Sequence, residues 1–470
     1  MNETYATLSI PPPLPTPVVR TGWGAVFWKY LVAYARSSVS AALTNGIRKG
    51  CIEISDSTGT QTFGFVDEGK KAIAQSRKIS LHVKDETFWV RIYFSYDIGF
   101  SESHMNQEFE CSPSMKELLN LYVDNLRTLD RLLYFSVYKL KSAFDIFAHR
   151  FISHGLLESV GNVAGYDASN QLYQAFLSTE LQYSCPIWSE VEDGGVRGDL
   201  DSSRPPEDLE RAQTRKIKHM LNKARLKPGH RLLEIGTGWG SLAITAAKMG
   251  CKVDTLTLSV EQKALADIRI KAEGVDSLVT VHLMDYRNMP PEFEGAFDAC
   301  ISLEMLEAVG IGYMSTYIKL IDWALKDQEA AVVLSATTYP DATFTIYQAN
   351  DFVRKYHWPH TIPPSATWLA HQFSSVLINR FSLESIEDFG MHYPRCLREW
   401  SRRLEQHWDT ALVASLQERY PGLKDHHNLT IYKRRWTYML CYMEVAYSRV
   451  WLTLNCWTFV RPGYAKVLCA

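Results

Sequence analysis

Residues Arg231–Ala243 read RLLEIGTGWGSLA. Leu232, Leu233 and Ile235 form a short apolar run suited to a buried strand, Gly236, Gly238 and Gly240 form a turn, and Ser241–Lys248 reads as a helix. Strand, glycine turn and helix in that order make a cradle. The glycines let the backbone come close to a ligand, and the helix start offers N–H groups without intrahelical partners. The spacing is G-x-G-x-G with Glu234 ahead of it, not the G-x-G-x-x-G of nicotinamide enzymes. A carboxylate before the turn suits a cationic ligand, and S-adenosylmethionine carries both an ammonium and a sulfonium. A tight strand-to-helix turn that binds nothing is the competing reading of the motif taken alone.

Downstream, apolar strands and helices alternate. Cys251–Leu258, Leu278–Leu283, Ala299–Leu303 and Ala331–Ala336 read as strands, with a helix at Val260–Glu273. Such alternation predicts an α/β fold, a mostly parallel sheet with helices on both faces. Ligands of these sheets bind beyond the C-terminal strand ends. Gly236–Gly240, Thr257–Gln262, Asp285–Arg287 and Glu304–Gly310 are therefore expected to converge on one crevice. A helical insertion, Thr343–Tyr356, leads to the aromatic and proline-rich Lys355–Ser365, which suits a lid. Helices are expected at Ala366–Ser374, Pro394–Gln417 and Thr430–Arg449, and a terminal strand at Trp451–Val460.

Upstream, Met1–Thr21 is proline-rich and reads as a strap, and Gly22–Asn45 reads as an amphipathic helix with Trp23, Phe27, Trp28, Leu31 and Tyr34 at helical spacing. Cys51–Ser55, Thr62–Phe65, Ile79–Val83 and Thr87–Phe94 read as strands, and Ser114–Phe135 and Val137–Phe151 as helices, the first opened by a Ser114/Glu117 capping box. After a helical run at Leu172–Leu177 come the loop Leu181–Trp188 and a turn-rich insert, Asp193–Pro206. Pro206–Lys227 is a basic helix, whose charge reads as a solvated face in preference to a phosphate contact. The organisation expected is a strap and helix over 1–45, a small α+β domain over 46–155, and a main domain over 156–470 with a lid insertion near 340–420.

The chain has 470 residues, enough for two or three domains, with 46% hydrophobic and 22% charged residues. A net charge of −2 gives no global field to draw it to nucleic acid. Aromatic content of 12% suits pockets for apolar substrates, though large cores also use aromatics. The nine cysteines are scattered without C-x-x-C or metal spacing, and their odd count points to a reducing, cytoplasmic setting. Gly22–Ala42 is broken by Lys29 and Arg36, and Tyr438–Val460 by Glu444 and Arg449, so neither reads as membrane-spanning. Peripheral contact with a membrane stays open.

Several distant motifs together resemble the cyclopropane-fatty-acyl-phospholipid synthase family, which includes the mycolic acid cyclopropane synthases. They are YSCPIW at Tyr183–Trp188, LLEIGTGWGSLA at Leu232–Ala243, TLSVEQ at Thr257–Gln262, DYR at Asp285–Arg287 and EMLEAVG at Glu304–Gly310. His392, Tyr393, Glu399 and Trp400 and the C-terminal RRWTYMLCYMEVAYSR fit as well. The resemblance runs from roughly Gly50 to the C-terminus. It implies a Rossmann-like class I methyltransferase sheet of seven strands with a helical lid and a small N-terminal domain. It also implies S-adenosylmethionine as cofactor, a lipophilic unsaturated acceptor and, from the longer members, a homodimer.

Carried onto this sequence, the resemblance assigns Tyr183 and Ser184 to the methionine end of the cofactor and Gly236, Gly238 and Gly240 to its loop. It assigns Thr257, Ser259 and Gln262 to the ribose and amino-acid region, and Asp285 and Tyr286 to the adenine side. The chemistry implied is attack of an alkene on the sulfonium methyl, in a dry pocket that protects the resulting cation. A base then removes a proton to close a cyclopropane. The family uses bound bicarbonate, and its holders match Cys185 (by backbone), Glu307 and Tyr393. Two holder positions depart: Ser335 stands where the family has His or Gln, and Thr337 where it has Ile. Gly165-Tyr166-Asp167 stands in place of a His-Tyr-Asp motif. A serine reaches less far toward an anion, which leaves bicarbonate open. It also leaves open methylation of a polyketide- or terpene-like metabolite without ring closure, or use of the cofactor without methyl transfer.

Overall fold

The computed structural model describes residues 23–65, 78–133, 169–201, 207–348, 350–359 and 361–464. The expected strap over 1–21, the expected helix over 137–151 and Gly165-Tyr166-Asp167 lie outside the described residues. The chain divides into two compact units. One comprises residues up to 155 with 349–359 and 417–445, and the other comprises 156–348, 360–416 and 446–470.

The first unit carries a sheet of β1 (Cys51–Asp56), β2 (Gly59–Gly64), β3 (Lys78–Val83) and β4 (Phe109–Ser112), in the order β2-β1-β3-β4. β1 and β2 form an antiparallel hairpin, and β3 runs parallel to β1. Ile52, Ile54, Ile79, Leu81 and Phe109 of the sheet share a core with Val32, Ala35 and Val39 of the helix Trp23–Gly46. That helix leaves Trp23, Phe27, Tyr30 and Tyr34 exposed.

The expected strand at Thr87–Phe94 is instead the start of a helix, Thr87–Met105, kinked at Tyr96, where φ is 47°. Its β-branched and aromatic residues favour a strand by propensity, but Asp85 accepts a hydrogen bond from the Thr87 N–H at 2.8 Å. Phe88 and Trp89 are buried, and Phe88 packs edge-on against Phe109, 5.3 Å between centroids. Turn chemistry and core burial override the propensity. The next helix, Met115–Leu133, opens with the Glu117 N–H donating to Ser114 Oγ at 3.2 Å, half of the expected capping box.

The second unit is built on seven strands: β5 (Arg231–Ile235), β6 (Lys252–Thr257), β7 (Val279–Leu283), β8 (Ala299–Leu303), β9 (Ala331–Thr338), β10 (Ser382–Asp388) and β11 (Thr453–Val460). Their order is β10-β11-β9-β8-β5-β6-β7, and β11 runs antiparallel to both β9 and β10 while the central pairs are parallel. This is the mostly parallel seven-stranded sheet that the family resemblance implies, of which the pattern of residues alone marks every strand but β10. β5 is buried from both sides. Leu233 and Ile235 join one core with Cys300, Val332 and Leu334, and Leu232 joins the other with Val253, Ile301 and Val333. Truncating a side chain such as Leu233 to Ala removes about 2–5 kcal/mol. The chain order reverses at β5, with β6 on one side and β8 on the other, the place where such sheets open a crevice.

Three other expectations are corrected. Among its described residues, the insertion expected as a helix over Thr343–Tyr356 is helical only at Phe352–Tyr356, where Asp351 accepts from the Arg354 N–H at 2.8 Å. Pro394–Gln417 is not one helix but Tyr393–Gln406 followed by Thr410–Arg419, the second started by Asp409, which accepts from the Leu412 N–H at 2.9 Å. The turn-rich insert after Asp193 holds short helices at Gly195–Arg197 and Gly198–Asp201. Arg395 donates to the carbonyls of Asp193 and Gly195, which gives this segment a fixed anchor.

Candidate active site

The crevice opens at the C-terminal ends of β5, β6, β7 and β8 and encloses about 1260 Å³ of empty space, its mouth included. Its floor is the glycine turn. Gly236, Gly238 and Gly240 have φ of 105°, 52° and 86°, values that side chains with a Cβ rarely adopt. Gly238 lines the crevice, and a Cβ there would meet no protein atom within 4 Å. A Cβ at Gly240 would lie 3.3 Å from Ala266, so that glycine serves helix packing. Glu234 lines the crevice, buried, with the Thr255 hydroxyl donating to its Oε2 at 2.6 Å. Burial pushes its carboxyl up to about 8, against the opposing pull of Lys216.

The remaining predicted cofactor residues gather around this turn. Beyond β6, Thr257 Oγ1 donates to Gln262 Oε1 at 2.9 Å, and Ser259 caps the next helix by accepting from the Gln262 N–H at 3.2 Å. Beyond β7, Asp285 accepts from the Arg287 backbone and guanidinium. Burial opposes ionisation there, but the Arg287 bonds hold the carboxyl below its ordinary value. Tyr286 offers its ring to the crevice and packs edge-on against Tyr317, 5.1 Å between centroids. Tyr183 and Ser184 close the wall from the loop before the sheet. Positive-φ glycines, a buried acid and an aromatic face fit a cationic nucleoside such as S-adenosylmethionine.

A second cluster forms where the loop containing Cys185, the ends of β8 and β9 and the helix Tyr393–Gln406 meet. Here the structure brings forward Glu304. Its Oε1 accepts from the Cys185 backbone N–H at 2.8 Å, and its Oε2 accepts from the Tyr393 hydroxyl at 2.5 Å. Its backbone N–H donates to the Ser335 carbonyl at 2.8 Å, at a φ of 50°. Both donors that the family resemblance gives to bicarbonate thus point at a carboxylate of the chain itself. Ser335, 2% exposed, lines a small cavity with Cys185, Lys216 and Glu304.

Glu307, the expected anion holder, accepts from the Thr337 backbone N–H at 2.6 Å through Oε1, while its Oε2 is buried without a hydrogen-bond partner. Burial, reinforced by the charge of Glu304, pushes its carboxyl up to about 8. The Thr337 hydroxyl lies 2.8 Å from that of Tyr447, whose ring stacks on Tyr393 at 4.3 Å. The Cys185 thiol is fully buried and its pKa is raised by desolvation, which leaves the backbone N–H as this residue's working group.

Glu304 and Lys216 were not among the expected site residues. Lys216 falls in the helix Asp208–Lys223, expected as a solvated basic face, yet it is 2% exposed. Its ammonium donates to Gln182 Oε1 at 2.5 Å and Ser184 Oγ at 2.6 Å, and desolvation lowers its pKa to about 8. The available signal was helical phase: Ala212 and Met220, four residues to either side, are buried on the same stripe. For Glu304 the signal was a second carboxylate, three residues before Glu307 in EMLEAVG. Among the described residues no group of three or more His, Cys, Asp or Glu could hold a metal ion, and no helix is long and apolar enough to cross a membrane.

Comparison with known proteins agrees with this architecture. A family model described as mycolic acid cyclopropane synthetase matches residues 158–430. The chain is 29% identical over 370 residues to a tuberculostearic acid methyltransferase of Mycobacterium tuberculosis, covering 78% of this chain and 79% of that protein. It is 28% identical over 382 residues to the cyclopropane-fatty-acyl-phospholipid synthase of Escherichia coli, covering 78% of this chain and 84% of that protein. Among solved structures, a cyclopropane synthase of Mycobacterium tuberculosis superposes with a TM-score of 0.51 at 21% identity, covering 63% of this chain and 95% of that one.

Proposed function

The chain belongs to the mycolic acid cyclopropane synthetase family of S-adenosylmethionine-dependent methyltransferases, and from that membership we propose that it methylates a double-bond carbon of an unsaturated acyl chain. The observation that carries this reading is a glycine-floored crevice that shares one wall, Leu303 and Glu304, with a buried acid–base cluster. The cofactor, when bound, supplies a methyl group made electrophilic by its sulfonium. Gly236 and Gly238 would allow close backbone approach, Glu234 would face positive charge, and Tyr286 would cover the adenine. Leu303, Met305 and Val309 keep the wall beside the acid–base cluster apolar, which protects a cationic centre from water.

The product, a ring or a methyl branch, depends on which proton leaves after transfer. Similar identity to a cyclopropane synthase and to a tuberculostearic acid methyltransferase supports both outcomes equally. The test is to incubate the protein with methyl-labelled S-adenosylmethionine and vesicles of unsaturated phospholipid. Label is expected in the lipid together with release of S-adenosylhomocysteine. Gain of a CH2 unit with loss of the double bond gives the ring, and retained unsaturation gives the branch. A lipid without label and no S-adenosylhomocysteine would overturn the proposal.

A further inference from the structure

We infer that Glu304 is the built-in base of this site, a carboxylate of the chain standing where a captured anion would otherwise be held. The inference rests on the methyl-transfer reading above and names the group that completes it. Three observations carry it. Glu304 lines both the crevice and the small cavity behind it, so the residue lies at the boundary between ligand space and the acid–base cluster. Both its oxygens receive donors, the Cys185 N–H and the Tyr393 hydroxyl, an arrangement that fixes a carboxylate's direction. And the residue is held at a φ of 50°, a left-handed conformation that costs a non-glycine residue about 1–2 kcal/mol and persists where the surroundings enforce it.

Bicarbonate does not fit beside this arrangement. The two donors are already engaged by Glu304, and an ionised Glu304 carboxylate would repel a second anion placed beside it. Desolvation raises the pKa of Glu304, with Tyr393, Cys185 and Lys216 pulling the other way, which moves the group toward the range where a base works well near neutral pH.

The step balances without any further reactant. Once the acceptor has gained a methyl group, its neighbouring carbon is electron-deficient. For a ring product, Glu304 takes one proton from the added methyl, the C–H electron pair becomes the new C–C bond that closes the ring, and the positive charge is discharged; for a branched product it takes the proton from a neighbouring chain carbon, and that pair becomes a double bond. The carboxyl then returns its proton to water through the crevice.

The experiment has a binding arm and a turnover arm. In the binding arm, cofactor-free protein is titrated with carbon-13 bicarbonate and followed by NMR. The unaltered chain is expected not to bind it, whereas Glu304→Gly, which removes the carboxylate and relieves the φ, is expected to bind. In the turnover arm, Glu304→Gln is expected to lower the rate about a hundredfold or more with calorimetric cofactor affinity little changed. Bicarbonate or formate is expected to restore rate to Glu304→Gly, and stripping carbonate from the buffer to leave the unaltered chain's rate unchanged. Bicarbonate binding by the unaltered chain, carbonate dependence of its rate, or full turnover by Glu304→Gln would each overturn the inference. Failure of the methyl-transfer reading looks different: the unaltered chain would label no lipid in any buffer, while the binding arm would still report on Glu304.

Discussion

Gly238 shows how much one residue carries. Its φ of 52° and the open space where a Cβ would stand make it a point of ligand approach, not a packing glycine like Gly240. Gly238→Val would place a β-branched side chain at the crevice wall at a disfavoured φ, costing about 1–2 kcal/mol of stability. The larger effect is expected on S-adenosylmethionine, with calorimetric affinity falling at least about a hundredfold, which corresponds to roughly 3 kcal/mol. Wild-type affinity in a folded Gly238→Val protein would remove the turn from the binding site. The turn was legible in the sequence because its spacing is local. The role of Glu304 is not legible in the same way, because its partners Cys185 and Tyr393 are 119 and 89 residues away in sequence. Lys216 is hidden for a related reason: charge counted along a helix does not tell which side faces the body.

Among the elements, the loop Leu181–Trp188 depends on others for its position. It has no regular structure of its own, yet it brings Tyr183, Ser184 and Cys185 to the site. The helix Tyr393–Gln406 and the residues just before it hold it. The Trp188 N–H donates to His392 Nδ1 at 3.0 Å, its indole N–H donates to the His392 carbonyl at 3.0 Å, and the Arg395 guanidinium lies 4.0 Å from the Trp188 ring centre. Arg395 is 1% exposed and donates to Asp208 Oδ2 at 2.9 Å, a carboxylate equally buried. Arg395→Met would remove a buried guanidinium partner of Asp208 and the bonds that hold the loop, at a cost of about 3–5 kcal/mol. A melting temperature lower by on the order of 10 °C is expected, with weaker cofactor binding. An unchanged melting temperature would show that the pair is dispensable. Elements with a clear period or a glycine turn, β5 to β9, were legible in the sequence. Those set by partners, such as the helix at Thr87–Met105 and the largely exposed strand β10, were not, because propensity there opposes or hides the tertiary environment.

At the scale of the whole molecule, the site places ionisable groups where folding alone would not keep them charged, and pH should report it. Burial raises Glu234 and Glu307 to about 8, so the folded chain retains protons that the unfolded chain releases near 4.5. Their contribution is therefore fully present below about 4.5 and is lost as pH rises through about 8, with a slope of about 1.4 kcal/mol per pH unit for each proton retained. Lys216 has the opposite sign: its pKa falls from 10.5 to about 8, so its contribution is present above 10.5 and is lost as pH falls through 8. Cofactor-free protein is expected to melt at higher temperature near pH 5 than near pH 8. A cationic ligand beside Glu234 favours the ionised carboxylate, so binding should expel a proton and tighten as pH rises across this window. Calorimetry in buffers of differing ionisation heat counts that proton, and Glu234→Gln removes its source while leaving titration of the ligand's own amino group in place. Proton release equal in Glu234→Gln and in the unaltered chain would mean that this carboxylate does not face the cofactor's charge, and the acid ahead of the glycine turn would then be a structural group bonded to Thr255.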